Sequence, residues 1–187
     1  MKLERLTDFQ WYNEPSNVVF EQQNVTIVAK PQTDFWQSFH HNIQKDNAHL
    51  FYKTLQGDFE LIVKWCFDTA ESFNQCGIAV RVDAKNWFKA SVMSKSKKSP
   101  AIGSCLTIGG FSDLANVSLS KMPDAIFYKL QRKDNDFICS YSLDGQTYIR
   151  LRQFYLRGIS SDIKAGAYIA APQNAPFQAV LDEIDFK

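Results

Sequence analysis

The chain lacks an excess of charge of either sign and lacks any long apolar run. Its 187 residues carry 21 Lys plus Arg against 20 Asp plus Glu, a formal net charge of +1. A chain without a strong positive field is not expected to bind nucleic acid or an anionic membrane surface. No apolar stretch approaches the roughly 20 residues of a membrane-spanning helix, and Glu4, Arg5 and Asp8 interrupt the region where a signal peptide would be apolar. We therefore expect a soluble, cytoplasmic chain.

The sequence also lacks the common metal, redox and nucleophile motifs. Its four cysteines, Cys66, Cys76, Cys105 and Cys139, are far apart and form no C-x-x-C pair, which argues against a zinc knuckle or a redox-active dithiol. In a reducing compartment they are expected to be buried thiols, whereas a disulfide between Cys66 and Cys76 would require export. No G-x-S-x-G elbow, cysteine-nucleophile signature or P-loop is present. No cofactor is therefore expected.

Histidine is scarce, and its positions do not favour a metal site. His40 and His41 follow the aromatic stretch TDFWQSF (33–39), and in a regular strand they would point to opposite faces and could not bind one ion. A metal would instead need His49 together with Asp34 or Asp46, and the spacing of these residues in the sequence matches no metal-ligand motif. We expect no metal site here.

What the sequence does contain is a repeated alternation of apolar and polar residues in short segments separated by turn residues. This period of two predicts strands, and twelve are predicted at residues 25–30, 35–39, 49–55, 59–67, 76–83, 87–95, 102–108, 125–133, 137–143, 147–155, 164–171 and 177–186. A chain of 187 residues with 45% hydrophobic content can bury one sizeable core. The sequence thus predicts a single all-β domain over residues 1–187, a sandwich or barrel of antiparallel strands.

Turn signals support this architecture. Gln56-Gly57-Asp58, Asp134-Asn135-Asp136 and Asp144-Gly145 separate strand patterns, and Asp-Gly is among the strongest hairpin signals. Short helical turns are expected only within 112–124 and around 157–161. The basic run at 95–98 is expected to be a solvated hairpin tip.

Alternation also assigns side chains to faces. In the segment 76–83, Ile78 and Val80 share the core face, which leaves Arg81 on the other. Trp87 and Lys89 fall on the corresponding face of the next strand, and Arg132 would join them if its strand were a neighbour. A Trp beside long basic side chains suits a polar, ring-containing ligand. The alternative is structural, since aromatic rings commonly fill a core and Arg stems commonly cover them.

Several motifs keep the order of a known family. They are TDFW (33–36), KDNAH (45–49), GDFEL (57–61), QCGIAVR (75–81), NWFK (86–89), Ser112-Asp113 and SYSLDG (140–145). In these the chain resembles, from about Trp11 to Phe186, an uncharacterised family of concanavalin A-like jelly rolls that includes the fungal regulation of enolase protein.

The resemblance implies a lectin/glucanase-type jelly-roll sandwich of two antiparallel sheets with a concave groove. It also implies that eight residues are ligand-binding candidates in that groove: Asp34, Trp36, Asn47, Gln75, Trp87, Lys89, Asp113 and Arg132. Arg81, which the strand pattern places on the same face as Trp87 and Lys89, is the ninth candidate. Phe35 is expected to be buried. The chain departs from the family pattern at Met93, where an acidic residue is common, and at Leu114, where a Trp is common.

Three functions remain open. The leading one is a non-catalytic protein that binds a carbohydrate or other small polyhydroxylated ligand in the groove, with Trp87 or Trp36 stacking on it. The second is a regulator that docks on a metabolic enzyme, as the family name implies. The third is a glycoside hydrolase, for which Glu183 and Asp185 form the comparable pair of carboxylates. That pair is interpreted as the polar face of a terminal strand.

Overall fold

A computed structural model describes residues 6–39, 43–68, 73–94, 99–156 and 162–187. Within these ranges the chain forms sixteen strands and no helix, hence no helix of a length and hydropathy that could cross a membrane. The first eight strands are β1 (Gln10–Tyr12), β2 (Asn17–Phe20), β3 (Val25–Ala29), β4 (Phe35–Phe39), β5 (Ile43–Asp46), β6 (His49–Leu55), β7 (Phe59–Phe67) and β8 (Gln75–Asp83). The last eight are β9 (Asn86–Ser94), β10 (Pro100–Ile108), β11 (Phe111–Ser118), β12 (Ala125–Lys133), β13 (Asp136–Ser142), β14 (Ile149–Tyr155), β15 (Ile163–Ala170) and β16 (Phe177–Phe186).

The strands form two seven-stranded antiparallel sheets and one separate hairpin. The first sheet has the order β1-β6-β15-β8-β9-β10-β11, and the second has the order β14-β13-β12-β7-β16-β3-β2. Strands β4 and β5 pair only with each other among the described residues. The predicted all-β, concanavalin A-like sandwich is therefore confirmed, because two large antiparallel sheets pack face to face and each combines hairpin-connected strands with neighbours that are distant in sequence.

The main core lies between the two sheets. Alternate residues of most strands in the two sheets enter it, as in β8, where Ile78 and Val80 are fully buried. Aromatic rings join the sheets: Phe88 of β9 stacks on Phe154 of β14 with centroids 4.0 Å apart, and Phe154 stacks in turn on Phe137. This regular alternation is the reason that the sequence pattern locates most strands.

The β4–β5 hairpin packs on the face of the first sheet that is turned away from the second sheet, here called the outer face. A second core forms beneath it from Phe35, Ala48, Leu50, Tyr52, Ala79, Trp87, Cys105, Tyr168 and Ala170. Phe35 is fully buried, as expected, and its ring contacts those of Trp87 and Tyr168 at 5.8 and 5.6 Å. The outer face is therefore partly a packed interior.

The structure corrects several local expectations. Strands β1, β2, β5 and β11 were not predicted, and the helical turn expected within 112–124 is wrong because β11 occupies Phe111–Ser118. Hairpin turns occur after Lys133 and after Ser142, where Asp134 and Gly145 have positive φ. The turn at 56–58 instead carries the chain from β6 in the first sheet to β7 in the second. The predictions for 95–98 and 157–161 lie outside the described residues.

Arg132 does not share a surface with Lys89. Its strand, β12, belongs to the second sheet, and Arg132 pairs with Phe59 on one side and Phe137 on the other. It is 9% exposed, lies over the Phe137 ring at 5.9 Å and donates through Nε to the carbonyl of Asp134 at 2.7 Å. The expectation that Arg132 and Lys89 share one open surface is wrong. The order of strands in a sheet depends on pairing between distant segments, and the local alternation of residues carries no information on that pairing.

Gly77 marks a close approach of two strands of the first sheet. A Cβ added there would lie 1.9 Å from the carbonyl oxygen of Ala90, whereas one added at Gly103 would meet only the flexible Met93 side chain, at 3.1 Å. We predict that Gly77→Ala lowers the free energy of unfolding by about 2–3 kcal/mol, because backbone must shift. Gly103→Ala, the control, should change it by less than about 1 kcal/mol. Urea denaturation measures both, and equal values would contradict this explanation.

Candidate functional site

A pocket of about 310 Å³ opens between the β4–β5 hairpin and the outer face of the first sheet. We call it the outer-face pocket. Its lining among the described residues consists of Asp34, Trp36, Ile43, Lys45, Phe73, Gln75, Lys89, Met93, Leu114 and Pro172. Its volume is at the lower end of the range for small-molecule sites. Four of the nine predicted ligand-binding residues line it: Asp34, Trp36, Gln75 and Lys89.

A buried polar cluster forms the floor of this pocket. Lys89 is 2% exposed, and its Nζ donates to Asp34 Oδ1 at 2.5 Å, to Gln75 Oε1 at 3.0 Å and to the Tyr168 hydroxyl at 3.1 Å. Burial first, and then the Asp34 charge, raises the pKa of Tyr168 well above its ordinary value of 10.0. Tyr168 is therefore a neutral donor, within 3.0 Å of both Asp34 Oδ1 and Gln75 Oε1. The buried ammonium is thus both paired and fully hydrogen-bonded.

The donor count of this cluster determines what the pocket offers a ligand. An ammonium has three protons, and all three of Lys89 are used within the cluster. The Gln75 amide must turn its oxygen toward Lys89, because an ammonium cannot accept. Its Nε2 then has no protein partner among the described residues, and Asp34 Oδ2 likewise has none. The floor therefore presents one donor and one acceptor.

Asp34 is held in place by the turn that follows β5. The Asp34 amide donates to Asn47 Oδ1 at 3.0 Å, while the amides of Asn47 and Ala48 donate to the Asp34 carbonyl. Asn47 also donates through Nδ2 to the Gln32 carbonyl at 3.2 Å. Asn47 does not line the pocket, and its contacts give it a positioning role for Asp34.

Arg81 lies on the outer face, as expected, but beside the pocket rather than in it. Its Nη2 donates to Asp46 Oδ2 and to the Tyr12 hydroxyl, both at 2.8 Å, and its guanidinium lies over the Tyr12 ring at 4.3 Å. Since Asp46 belongs to β5 and Tyr12 to β1, the arginine ties both elements to β8. Arg81 therefore fixes the hairpin that covers the outer face.

Trp87 and Asp113 are placed differently from the prediction. Trp87 is on the outer face but only 1% exposed, because the hairpin covers it, so it packs in the second core and is not an open platform. Asp113 pairs in register with Leu106, whose side chain packs on the main core, and its carboxylate binds Arg152 of β14 at 2.7 Å. Asp113 therefore lies on the opposite face of β11 from the pocket. Of the two tryptophans predicted to stack on a ligand, Trp36 is the one that lines the pocket, where it is partly exposed.

The remaining wall of the pocket is apolar. Met93 lies over Gly103, and Leu114 lies in register with Cys105 on the outer face of β11. These two positions are the ones at which the chain departs from the family pattern, and both line the pocket. Phe73 adds a ring at the rim from a backbone with φ of 63°, a strained conformation for a bulky residue.

The side chains that a metal site would have needed have other roles. His49 is 1% exposed; its Nε2 accepts from the Lys30 amide at 3.0 Å, and its Nδ1 contacts the Asn13 carbonyl at 2.6 Å. Both ring nitrogens are thus occupied by backbone. Among the described residues no group of three or more potential ligands occurs, and all four cysteines are free thiols. His40 and His41 lie outside the described residues.

Sequence analysis missed Tyr168, Lys45, Ile43, Phe73 and Pro172 as members of the site. Tyr168 alone carried a usable signal, because alternation places it between Gly166 and Ala170 on the face opposite the core residues of β15. A large ring between two small residues indicates a packed feature on that face. The other four reach the pocket from loops or from the hairpin, whose position local patterns do not give.

The candidate hydrolase carboxylates are remote from the pocket. Glu183 and Asp185 pair with Lys64 and Ile62 of β7 in the second sheet, and they alternate with the core residue Ile184. They therefore face away from the first sheet. In the outer-face pocket, Asp34 is the single carboxylate among the described lining residues, and it is paired with Lys89.

The fold and the pocket together define a β-sandwich protein with a small site on the outer face of one sheet. Over residues 11–187 the chain matches the family described as "Protein of unknown function (DUF1349)", and it belongs to that family. It is also similar to Regulation of enolase protein 1 of Saccharomyces cerevisiae, with 29% identity over 87 residues. That match covers 46% of this chain and 44% of the yeast protein, less than half of its length.

Solved structures share the fold. A functionally unknown protein from Saccharomyces cerevisiae superposes with a TM-score of 0.90 at 22% identity, covering 97% of both chains. The GH43 protein BlXynB from Bacillus licheniformis superposes with a TM-score of 0.74 at 14% identity. The superposition covers 96% of this chain but 36% of the Bacillus protein. At these identities the likeness establishes the fold and nothing further.

The Lys89–Asp34 pair is predicted to stabilise the fold strongly. Lys89→Met should lower the free energy of unfolding by about 3 kcal/mol, since it leaves the Asp34 carboxylate without its counter-ion in a site where that side chain is 15% exposed. The double variant Lys89→Met/Asp34→Asn should recover at least half of the loss, because it removes the stranded charge. Lys53→Met, which breaks the exposed pair with Asp8, should cost less than about 1 kcal/mol. Urea denaturation of the four proteins would contradict the account if the double variant were less stable than Lys89→Met.

The buried His49 is expected to make the free energy of unfolding depend on pH. Burial lowers the pKa of His49 below its ordinary value of 6.5, so the unfolded chain binds a proton more readily than the folded chain. The stabilisation is therefore present above the unfolded pKa and is lost as pH falls from about 6.5 through the folded value. Chemical denaturation of wild type between pH 7 and pH 5 should show a loss of stability that is smaller in His49→Gln. The same loss in both proteins would assign the effect to other groups.

Proposed function

We propose that this protein binds a carbohydrate or another small polyhydroxylated ligand in the outer-face pocket, without hydrolysing it. The observation that carries the proposal is that one pocket combines the Trp36 ring with two polar groups, Gln75 Nε2 and Asp34 Oδ2, that have no partner among the residues that the structure describes. A sugar has apolar C–H faces that pack on an aromatic ring and hydroxyls that both donate and accept. The pocket offers all three interactions.

The rigid setting of these groups favours binding. Asp34 Oδ1 is fixed by Lys89 and Tyr168, and the Gln75 oxygen is fixed by the same two residues. Polar groups whose positions are set in advance bind with a smaller ordering cost. The cluster therefore orients the free donor and the free acceptor before a ligand arrives.

The carboxylates of the described lining support the proposal that the ligand is not hydrolysed. Glycoside hydrolysis ordinarily uses two carboxyl groups that flank the scissile bond. The outer-face pocket has Asp34 alone, held by Lys89, and Glu183 and Asp185 belong to the other sheet. The chain is thus proposed to be a binding protein, and the hydrolase activity implied by some proteins of this fold is not proposed for it.

A second candidate is a cytoplasmic regulator that docks on a metabolic enzyme. It is favoured by the partial similarity to Regulation of enolase protein 1. It is also favoured by the exposed apolar side chains of the edge strand β11, Phe111, Leu114 and Val117, which are 72%, 36% and 41% exposed. A protein partner could cover such an edge.

Trp36 provides the test of the leading candidate. Wild type should give a saturable response to at least one neutral mono- or oligosaccharide in isothermal titration calorimetry, and Trp36→Ala should weaken that binding at least tenfold, about 1.4 kcal/mol, because the packing face is lost. Trp36→Phe keeps a ring and should retain most of the affinity. The control is Phe111→Ala, which removes an aromatic ring that is 72% exposed and outside the pocket lining.

The outcomes separate the candidates. Sugar binding that survives Trp36→Ala unchanged places the ligand elsewhere and contradicts the assignment of the pocket. No binding to any neutral sugar removes the carbohydrate proposal. In that case a stable complex with purified enolase in size-exclusion chromatography, lost in Phe111→Asp, would support the regulator.

A further inference from the structure

The buried hydrogen-bonding groups of the outer-face pocket lie around Lys89. Gln75 Nε2 and Asp34 Oδ2, which have no partner in the described part of the chain, both adjoin Lys89, because Lys89 binds the Gln75 Oε1 and the Asp34 Oδ1 of the same two side chains. One donor and one acceptor held close together match two neighbouring hydroxyls, of which one accepts from the amide and the other donates to the carboxylate. This side of the pocket suits a vicinal diol.

The charge of the floor is already balanced. Lys89 is the buried cation, and its three protons and its charge are taken up by Gln75, Tyr168 and Asp34. The other lining cation, Lys45, is on the hairpin and donates to the Gln32 carbonyl at 3.2 Å in an exposed position. A phosphate or carboxylate on a ligand would therefore meet the Asp34 oxygen without a free buried cation to compensate it.

Apart from Asp34, Lys45, Gln75, Lys89 and Trp36, the described residues of the lining have apolar side chains. They are Ile43, Phe73, Met93, Leu114 and Pro172. The thioether of Met93 is at best a weak acceptor, and its sulfur lies against Gly103, 3.1 Å from the position of an added Cβ there. A ligand hydroxyl buried against this wall would lose hydrogen bonds to water that these side chains do not replace, whereas a methyl group or a bare ring carbon would pack well.

On the basis of the proposed function, we propose that the pocket selects neutral sugars with a vicinal diol on one edge and no hydroxymethyl oxygen on the other. Pentopyranoses and 6-deoxyhexoses have this pattern. Hexoses with a complete hydroxymethyl group, uronic acids and sugar phosphates are the disfavoured ligands. Met93 is a specificity-determining residue in this arrangement.

Matched sugar pairs test the selection. The pairs are D-xylose with D-glucose, L-fucose with L-galactose and L-rhamnose with L-mannose, together with D-glucuronate and D-glucose 6-phosphate as the charged probes. The full chain is titrated with each sugar, and ligand-observed NMR measures the dissociation constants. The less polar member of at least one pair should have a dissociation constant at least about tenfold lower than that of its partner, a ratio that one unpaired hydroxyl can produce. Both charged probes should bind more weakly than that less polar sugar.

Two variants connect the preference to Met93. Met93→Gln supplies an amide to the apolar wall and should bring the ratio within the responding pair close to one. Met93→Leu, the control, conserves volume and apolarity and should keep the ratio. Thermal unfolding of both variants checks that the fold is retained.

Each outcome has a defined meaning. Sugar binding with equal affinities within every pair, a preference for the hydroxymethyl members, or tighter binding of a charged probe overturns the selection and leaves the binding function standing. A ratio unchanged by Met93→Gln removes Met93 from the role. Failure of all the sugars to bind, with the folded protein intact, overturns this inference, whereas the proposed function is overturned only if neutral oligosaccharides also fail to bind in calorimetry.

Discussion

The ion pair between Lys89 and Asp34 is the interaction on which the outer face depends. Lys89 rises from the middle of the first sheet, and Asp34 comes from the segment that leads into the β4–β5 hairpin. The pair therefore fixes the hairpin to the sheet, with Arg81 and Asp46 as a second attachment. Two buried charges are tolerated because hydrogen bonds satisfy Lys89 completely. The same arrangement leaves Gln75 and Asp34 with one polar atom each at the pocket floor that no described residue binds.

The hairpin gives one sheet face two environments. Beneath it, Phe35, Trp87 and Tyr168 form a second core that is nearly closed to solvent. At its margin, Trp36 and the polar cluster remain accessible in the pocket. The predicted ligand-binding residues that lie at this outer face thus divide into those that build the covered part and those that line the pocket. Trp87, Arg81 and Asn47 belong to the first group, and the pocket-lining four belong to the second.

The sequence predicted the architecture well because the sandwich consists of strands with one buried face. Alternation located β7 and β12 at their observed bounds and placed Arg81, Trp87 and Lys89 on one face of the first sheet. Alternation did not show that the hairpin covers that face, and Trp87 was therefore predicted to be exposed to a ligand when it is in fact buried. It also did not show that β12 belongs to the other sheet, which misplaced Arg132. Both errors concern long-range packing, which is set by contacts between segments distant in sequence.

The central claim is that a ligand contacts Gln75 and Trp36 together. Amide and indole resonances of ¹⁵N-labelled protein, recorded during titration with D-xylose, L-fucose and L-rhamnose, test it directly. The account predicts that the side-chain NH₂ of Gln75 and the indole N–H of Trp36 shift saturably with one common dissociation constant for at least one of these sugars. Saturable shifts confined to other parts of the protein, or no shifts with any of the three, would contradict it.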